Sequence, residues 1–437
     1  MNAGRRWVAA GVALAVLVAV AVVLVVRHLD GPGCGGDEAR VGASEVPRVF
    51  EAPPAAGRLG RLAGALDRMP FGRVVGAVGY DYGQWLTVGA LPGRLAAWTK
   101  GNAVVGFLGA DLRPRWGLRQ AQLQHAWDAD ATHFFELELA KDRPLQVSSY
   151  SLADGRRLWC ASVGEVPTRY ADPLGTAALP GGDLLVLADA PGPAGTLSRI
   201  RGDDGSARWT RTLTGIDRGD FLGDLGDGVG VAGGRPSYEL GDADVPAPSG
   251  PALRGFDEAT GRPGWAWGDG LEVHVVGVSA GRLLLEQADG TALRLVALDR
   301  RGRQVWTTPA PAGTNADVAL AGGMLVLRTD RGLEGIDPTT GRRAWRTPYP
   351  SVGHGTGGQL FPYGFALDAQ PMIDAHHLLL GTTTALRTLD TRTGRLRSYA
   401  LPIDGINTSF WPYQLTVAGS LLVVATNIGA VAVRRAD

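Results

Sequence analysis

One short block recurs along most of this chain. An apolar stretch ends at or near Asp, a turn carries Gly, and Trp follows that Gly by four residues. The block reads Asp154, Gly155, Trp159, then Asp203, Gly205, Trp209, then Asp257, Gly261, Trp265, then Asp299, Gly302, Trp306, then Asp337, Gly341, Trp345. Two copies are incomplete. Asp390 and Gly394 are followed by Ser398 where Trp would stand, and Ala110–Trp116 keeps Asp111 and Trp116 but has no Gly. Trp is too rare for this spacing to be chance. The physical content is local. Asp accepts hydrogen bonds from the N–H groups of the turn, and Gly supplies the positive φ that a tight hairpin needs. The strand after the turn then aims a large flat ring at one face, where it can fill the space between packed sheets.

Each turn follows a Gly-led apolar strand, as at Gly182–Leu187, Gly281–Leu285, Gly323–Leu327 and Gly419–Val424. The complete copies lie roughly 40–55 residues apart, the length of a four-stranded propeller blade. The longer spacings carry loops, notably Ala232–Gly255, read as a connection between two blades. The 64 Gly and 27 Pro among 437 residues suit short strands and many turns rather than long helices. Counting strand-plus-turn units gives eight, with seven as the alternative. The last unit, Gly419 to Val433, stops after its inner strands. The start of the chain is therefore expected to complete it, which removes the exposed sheet edges. Trp85–Val88 and Leu95–Trp98 are the candidates for that closing strand.

The Asp-x-x-Thr-Gly-x-x-x-Trp form of the block resembles the PQQ-like propeller repeat of quinoprotein dehydrogenases and of BamB-type assembly proteins. The resemblance spans about residues 100–433. With the count of units, it implies an all-β propeller of eight four-stranded blades, or seven, in which Trp116, Trp159, Trp209, Trp265, Trp306 and Trp345 are structural, with Gly155, Gly205, Gly261, Gly302, Gly341 and Gly394. It does not imply a function, because those residues build the fold. Quinoprotein dehydrogenases hold PQQ with calcium, acidic and Asn ligands, a catalytic Asp and, typically, a disulfide between adjacent cysteines. No residue here matches those ligands, and no two cysteines are adjacent, so no cofactor is expected.

Residues 1–28 read as a cytoplasmic tip and anchor. The run Trp7–Val26 has no polar side chain, and as a helix it spans roughly 30 Å, the hydrocarbon thickness of a bilayer. Arg5 and Arg6 before it favour a cytoplasmic N-terminus, so the rest of the chain is expected outside the cell membrane. A cleaved signal peptide and a lipoprotein at Cys34 are the alternatives. Residues 29–57 lack an apolar period and read as a flexible linker, and 58–437 as the propeller. Cys34 and Cys160 are the two cysteines. The exported compartment permits a bridge between them, and two unpaired thiols, or Cys34 pairing with another chain, are the other readings. Cys160 directly follows Trp159 on a strand and is expected to face the opposite side.

Few side chains suggest chemistry. The run Gln124–His133 holds His125, Asp128, Asp130 and His133, and reads as a polar turn ahead of an apolar strand, with metal binding as the rival. His376 and His377 occupy the same place in their own unit. Asp217, Asp220, Asp224 and Asp227 lie in a Gly-rich loop but lack the closing Glu of an EF-hand. The long connection with Tyr349, His354, Phe361, Tyr363 and Phe365 is the candidate partner-binding loop, since such loops line propeller rims. The formal charge is zero, with 43 basic and 43 acidic side chains, which argues against a nucleic-acid partner. The expectation is a non-catalytic, membrane-anchored module that binds or scaffolds other exported or membrane proteins. A PQQ-dependent oxidoreductase and an extracellular ligand or cell-wall sensor are the alternatives.

Overall fold

The computed structural model describes residues 40–43, 57–79, 86–91, 94–99, 102–109, 114–119, 125–138, 145–163, 175–189, 194–214, 216, 221–235, 240, 250–289, 292–310, 317–329, 331–348, 370–381, 385–401, 414–426 and 429–435. Their strands form eight antiparallel sheets, each a meander in which neighbours in sequence are neighbours in the sheet, and two of the sheets carry one further outer strand from an earlier part of the chain. Sheet one runs from Leu86–Leu91 to Pro114–Arg119, and sheet two from His125–Ala129 to Arg157–Val163. Sheets three to six occupy 176–214, 221–269, 273–309 and 318–348. Sheet seven has three described strands within 377–400, and sheet eight takes three from 414–434. First described strands touch between sheets two and three, three and four, five and six, seven and eight, and eight and one. The remaining neighbours, one with two, four with five and six with seven, share buried apolar clusters, so the sheets close into a ring.

The recurring block builds the joints of this ring. Each complete copy is the hairpin between the third and fourth strands of a sheet. The six motif glycines sit at φ between 68° and 72°, a left-handed conformation that costs Gly little. Each ring is then seated on the glycine of the next sheet. A Cβ on Gly205 would lie 2.6 Å from the Trp159 ring, and one on Gly155 against Trp116, Gly261 against Trp209, Gly302 against Trp265, Gly341 against Trp306 or Gly394 against Trp345 would lie between 2.3 and 2.7 Å from it. The indole N–H completes each joint by donating to a backbone carbonyl of that next turn. The distances run from 2.6 Å for Trp159 to Gly202 and Trp345 to Thr391, up to 3.4 Å for Trp116 to Leu152. Trp116, Trp159, Trp209 and Trp345 are buried, whereas Trp265 and Trp306 are only half-buried.

A β-bulge accompanies every docking Trp. The register between third and fourth strands shifts by one residue in sheets one to six, and the strand pair of sheet seven has no such shift. Slipping one residue swaps the two faces of a strand, so the bulge is what points Trp at the following sheet. Without it, Ser398 pairs with Arg387 and faces back toward sheet six, while Tyr399 faces forward to meet Phe71 at 5.0 Å.

The two incomplete copies fall at the closure, and the closure accounts for them. The outer strand of sheet eight is Arg73–Gly79, supplied from before sheet one and paired with Gly429–Arg434. Sheet eight therefore has no hairpin between third and fourth strands, and a Trp at 398 would have no turn to dock on. Its outer strand carries no Trp either, so the first copy needs no Gly to receive one. The closing strand is thus neither of the two candidates. Leu86–Leu91 is the innermost strand of sheet one and Arg94–Thr99 its second. Strand order depends on pairing between distant segments, which local apolar pattern cannot rank.

A helix, Arg58–Leu66, replaces the missing Trp joint. Leu59, Leu62 and Leu66 lie on one face at helical spacing. With Phe71 they bury against Leu379, Leu386, Leu401, Leu415, Leu422 and Val433 of sheets seven and eight. Within the stretch read as a linker, Arg40–Gly42 is a strand that lengthens sheet one at its outer edge. Arg40 also donates from Nε and Nη2 to the Asp154 carbonyl of sheet two, at 3.1 and 3.0 Å. The long connection Ala232–Gly255 proves to be internal to sheet four, since Val229–Gly233 and Pro251–Asp257 pair directly.

Candidate functional site

Because the strands form meanders, their connections alternate between two ends of the ring. The motif hairpins and the hairpins between first and second strands share one end, the turn face. The connections between second and third strands, and those between sheets, share the other. The described His and Asp candidates lie on the turn face, and there the fold itself engages them.

The motif carboxylates act as turn caps. Asp257 Oδ1 accepts from the Thr260 hydroxyl and N–H at 2.6 and 2.8 Å, and these bonds hold its carboxyl below the usual range. Asp299 is lowered chiefly by Arg303, whose Nε lies 2.8 Å away. In two copies the cap stands directly before the Gly, and in one of them it is Asp204 rather than the expected Asp203. Asp154 and Asp204 accept from Arg156 N–H and Ser206 N–H.

The His and Asp candidates close hairpins. His125–Ala129 is a strand rather than part of a turn, and the turn is confined to Asp130–Thr132. Asp130 accepts from Thr132 N–H and His133 N–H through Oδ1, and its Oδ2 lies 2.8 Å from His133 Nδ1. Burial pushes Asp130 up, but the bonds from His133 and Thr132 outweigh it and leave the carboxyl below its ordinary value. Asp374 and His377 repeat this arrangement in sheet seven at 2.8 Å. Asp128 ties sheet two to sheet three by accepting from Ala178 N–H at 2.7 Å, and burial raises its pKa. Asp224 Oδ1 caps the first hairpin of sheet four, and Asp227 pairs with Arg300 of sheet five. Among the described residues no three His, Cys, Asp or Glu side chains gather as a metal site would need. Asp217, Asp220 and the aromatic connection with Tyr349, His354, Phe361, Tyr363 and Phe365 lie outside the described residues, as does Trp7–Val26. No helix of the described residues is long and apolar enough to cross a membrane.

Two ionic arrangements carried no motif in the sequence. Asp183 accepts from Arg199 Nε at 2.7 Å and Arg208 Nε at 2.6 Å, and Arg199 reaches on to the Glu258 carbonyl of sheet four at 3.0 Å. Burial, and then the nearby Asp224 carboxylate, push the Glu258 carboxyl up to about 7. The same Glu258 carbonyl accepts the Trp209 indole N–H at 3.0 Å, so this acid sits on the joint between sheets three and four. A shallow cleft of ≈ 450 Å³ opens beside the helix, lined by Ala65, Arg68, Met69, Tyr399, Ala400 and Leu401. Cys160 faces away from Trp159 and is disulfide-bonded, and the sequence holds one other cysteine, Cys34, outside the described residues.

Comparison with known proteins places this geometry. Residues 250–436 match the family model described as outer membrane protein assembly factor BamB, so the repeat over that stretch is of the PQQ-like type. Among solved structures, the Dos1 propeller aligns with a TM-score of 0.50 at 10% identity, covering 86% of this chain and 97% of that one. BamB from Moraxella catarrhalis aligns with a TM-score of 0.46 at 13% identity, covering 82% and 99%. The quinohemoprotein alcohol dehydrogenase ADHIIG from Pseudomonas putida HK5 gives 0.45 at 10% identity, covering 83% and 76%. No curated protein matches the sequence. At such identities the likeness concerns the fold, a β-propeller.

Proposed function

We propose that this PQQ-like β-propeller is a non-catalytic binding and scaffolding module for other exported or membrane proteins, each of its eight sheets being one blade. In this reading Trp7–Val26 anchors the chain in the cell membrane and the propeller lies outside. One observation carries the non-catalytic part. The side chains best suited to chemistry, Asp128, Asp130, His133, Asp227, Asp374 and His377, are each engaged in capping a hairpin or tying one sheet to the next. Groups held this way stabilise structure and are poorly placed to move protons or bind a metal. A closed ring with long connections on one end is instead suited to presenting a broad, rigid contact surface.

The test is cross-linking of the full chain in native membranes, followed by capture and identification of what is attached. A defined exported or membrane protein recovered repeatedly supports the reading. Appearance of a bound-quinone absorbance when PQQ and Ca²⁺ are added to the purified protein would replace it with the oxidoreductase alternative. Protease added to intact spheroplasts tests the address separately. Digestion of the large domain is expected, and its protection would place the propeller inside.

A further inference from the structure

The segment ahead of the propeller is fixed to it on one side. Cys160 is disulfide-bonded and Cys34 is the chain's one other cysteine, so within the chain the bond ties residue 34 to sheet two. Cys160 lies on the fourth strand, the outer edge of that sheet. It faces back toward sheet one, because Trp159 beside it docks on sheet three and strand neighbours face opposite sides. The next fixed point is close by. Arg40–Gly42 pairs with the outer strand of sheet one, and Arg40 reaches the Asp154 carbonyl of sheet two. Only eight residues lead from Val26, the end of the proposed anchor, to Cys34, and fully extended they span at most about 28 Å. A domain of this length is roughly 50 Å across. A tether that short reaches the side of the ring where sheets one and two stand, but not the far side with sheets five and six.

We propose that the outer edges of sheets one and two form the membrane-proximal side of the propeller and rest against acidic headgroups of the bilayer. This rests on the reading of Trp7–Val26 as the anchor. Tether length selects the side, and charge suits it. Arg40, Arg115 and Arg156 are exposed on or beside these edges, and Asp154 is the one exposed acid among their described residues. Basic side chains close to an acidic membrane surface are attracted to it over about a Debye length. Arg301 and Arg303 are exposed on sheet five as well, so charge alone would not choose between the two sides. The edges of sheets five and six then point away from the membrane and stay open to the bound protein.

Energy transfer from the full chain to acceptor lipids tests this in vesicles containing phosphatidylglycerol. The donor is attached through an azide-bearing residue in place of Ser162 on sheet two, or of Val305 across the ring on sheet five, both exposed. Transfer from position 162 is expected to be several-fold greater than from 305. Equal transfer would mean a ring lying flat, and greater transfer from 305 the opposite tilt, and either overturns the proposal. In vesicles of phosphatidylcholine alone, a Gly-Ser insertion of about ten residues after His28 lengthens the tether and leaves the propeller and both cysteines in place. The difference should then largely vanish, and its persistence would overturn the argument from tether length. In phosphatidylglycerol, Arg115→Gln with Arg156→Gln should narrow the difference, with no effect in phosphatidylcholine. An unchanged difference in both lipids would overturn the headgroup contact. Carbonate extraction of native membranes judges the anchor separately. Release of the chain would overturn the anchor and this proposal with it, whereas retention with equal transfer would overturn the orientation alone.

Discussion

The arc of sheets two to six and the seam formed by sheets seven, eight and one solve the same problem differently. In the arc, each joint is made by one Trp, one Gly and one bulge, repeated with little change. At the seam, the chain's early segment does the work. The helix Arg58–Leu66 fills the space a Trp would fill, Arg73–Gly79 closes sheet eight, and Arg40–Gly42 extends sheet one. The arc is thus held by contacts between repeats adjacent in sequence, the seam by contacts between the two ends of the described chain. Ring closure through distant segments costs more chain entropy before any contact rewards it. A helix that buries several leucines at once supplies a large compensating term at that place.

The largest expected effect separates the two regions by exchange. Trp159→Ala removes a buried ring and its N–H bond to Gly202, and should cost about 3–5 kcal/mol in denaturant unfolding. Ser398→Trp should bring no comparable gain, because sheet eight offers no turn to receive the ring. A gain of similar size would break the account of why the motif lapses there.

Leu62→Ala probes the seam directly. The side chain is fully buried among Phe71, Leu379 and Leu422, so about 2–5 kcal/mol should be lost. Hydrogen exchange should locate the weakening in sheets seven and eight, leaving sheets three to five protected. A uniform loss of protection would mean that arc and seam open as one unit.

Gly205→Ala tests the arc at a single backbone position. The residue has φ 72° and a Cβ would press on Trp159. Strain of this kind costs roughly 1–3 kcal/mol. The same substitution at Gly419, also at positive φ but with nothing near it, should cost less, and equal costs would show that contact with the ring contributes nothing.

The smallest effect is a dependence on pH at one joint of the arc. Glu258 has its carboxyl raised from an ordinary 4.5 to about 7, by burial first and then by Asp224. The folded state therefore holds a proton that the unfolded state has already released. Its contribution is fully present below pH 4.5 and is lost as pH rises toward 7. Melting curves across that window should fall more steeply for the parent than for Glu258→Gln. Parallel curves would mean that the Glu258 carboxyl does not titrate in that window.

Much of the arc was legible before any coordinates. Gly and Trp four apart, with Asp ahead, specify a hairpin and the face beyond it through local geometry alone, and each motif glycine indeed lies at positive φ. The absence of Trp at 398 and of Gly in the first copy was equally visible, but its meaning was not. Asp130 with His133, and Asp374 with His377, could be read as turn residues because an Asx turn is a local structure. The bulges, the Asp183 cluster and the Glu258 joint gave no local sign.

By itself, then, the sequence determined the repeat, its hairpins and the residues that join one sheet to the next, because all of these depend on dihedral preferences and side-chain spacing within a few residues. Only the tertiary structure decided which early segment closes the ring, since Arg73–Gly79, Leu86–Leu91 and Arg94–Thr99 are all short strands with apolar residues, and the choice rests on pairing with Gly429–Arg434 far along the chain. It also decided which way Ser398 and Tyr399 point. A single missing bulge sets that register, and the faces of a strand exchange with every residue of slip.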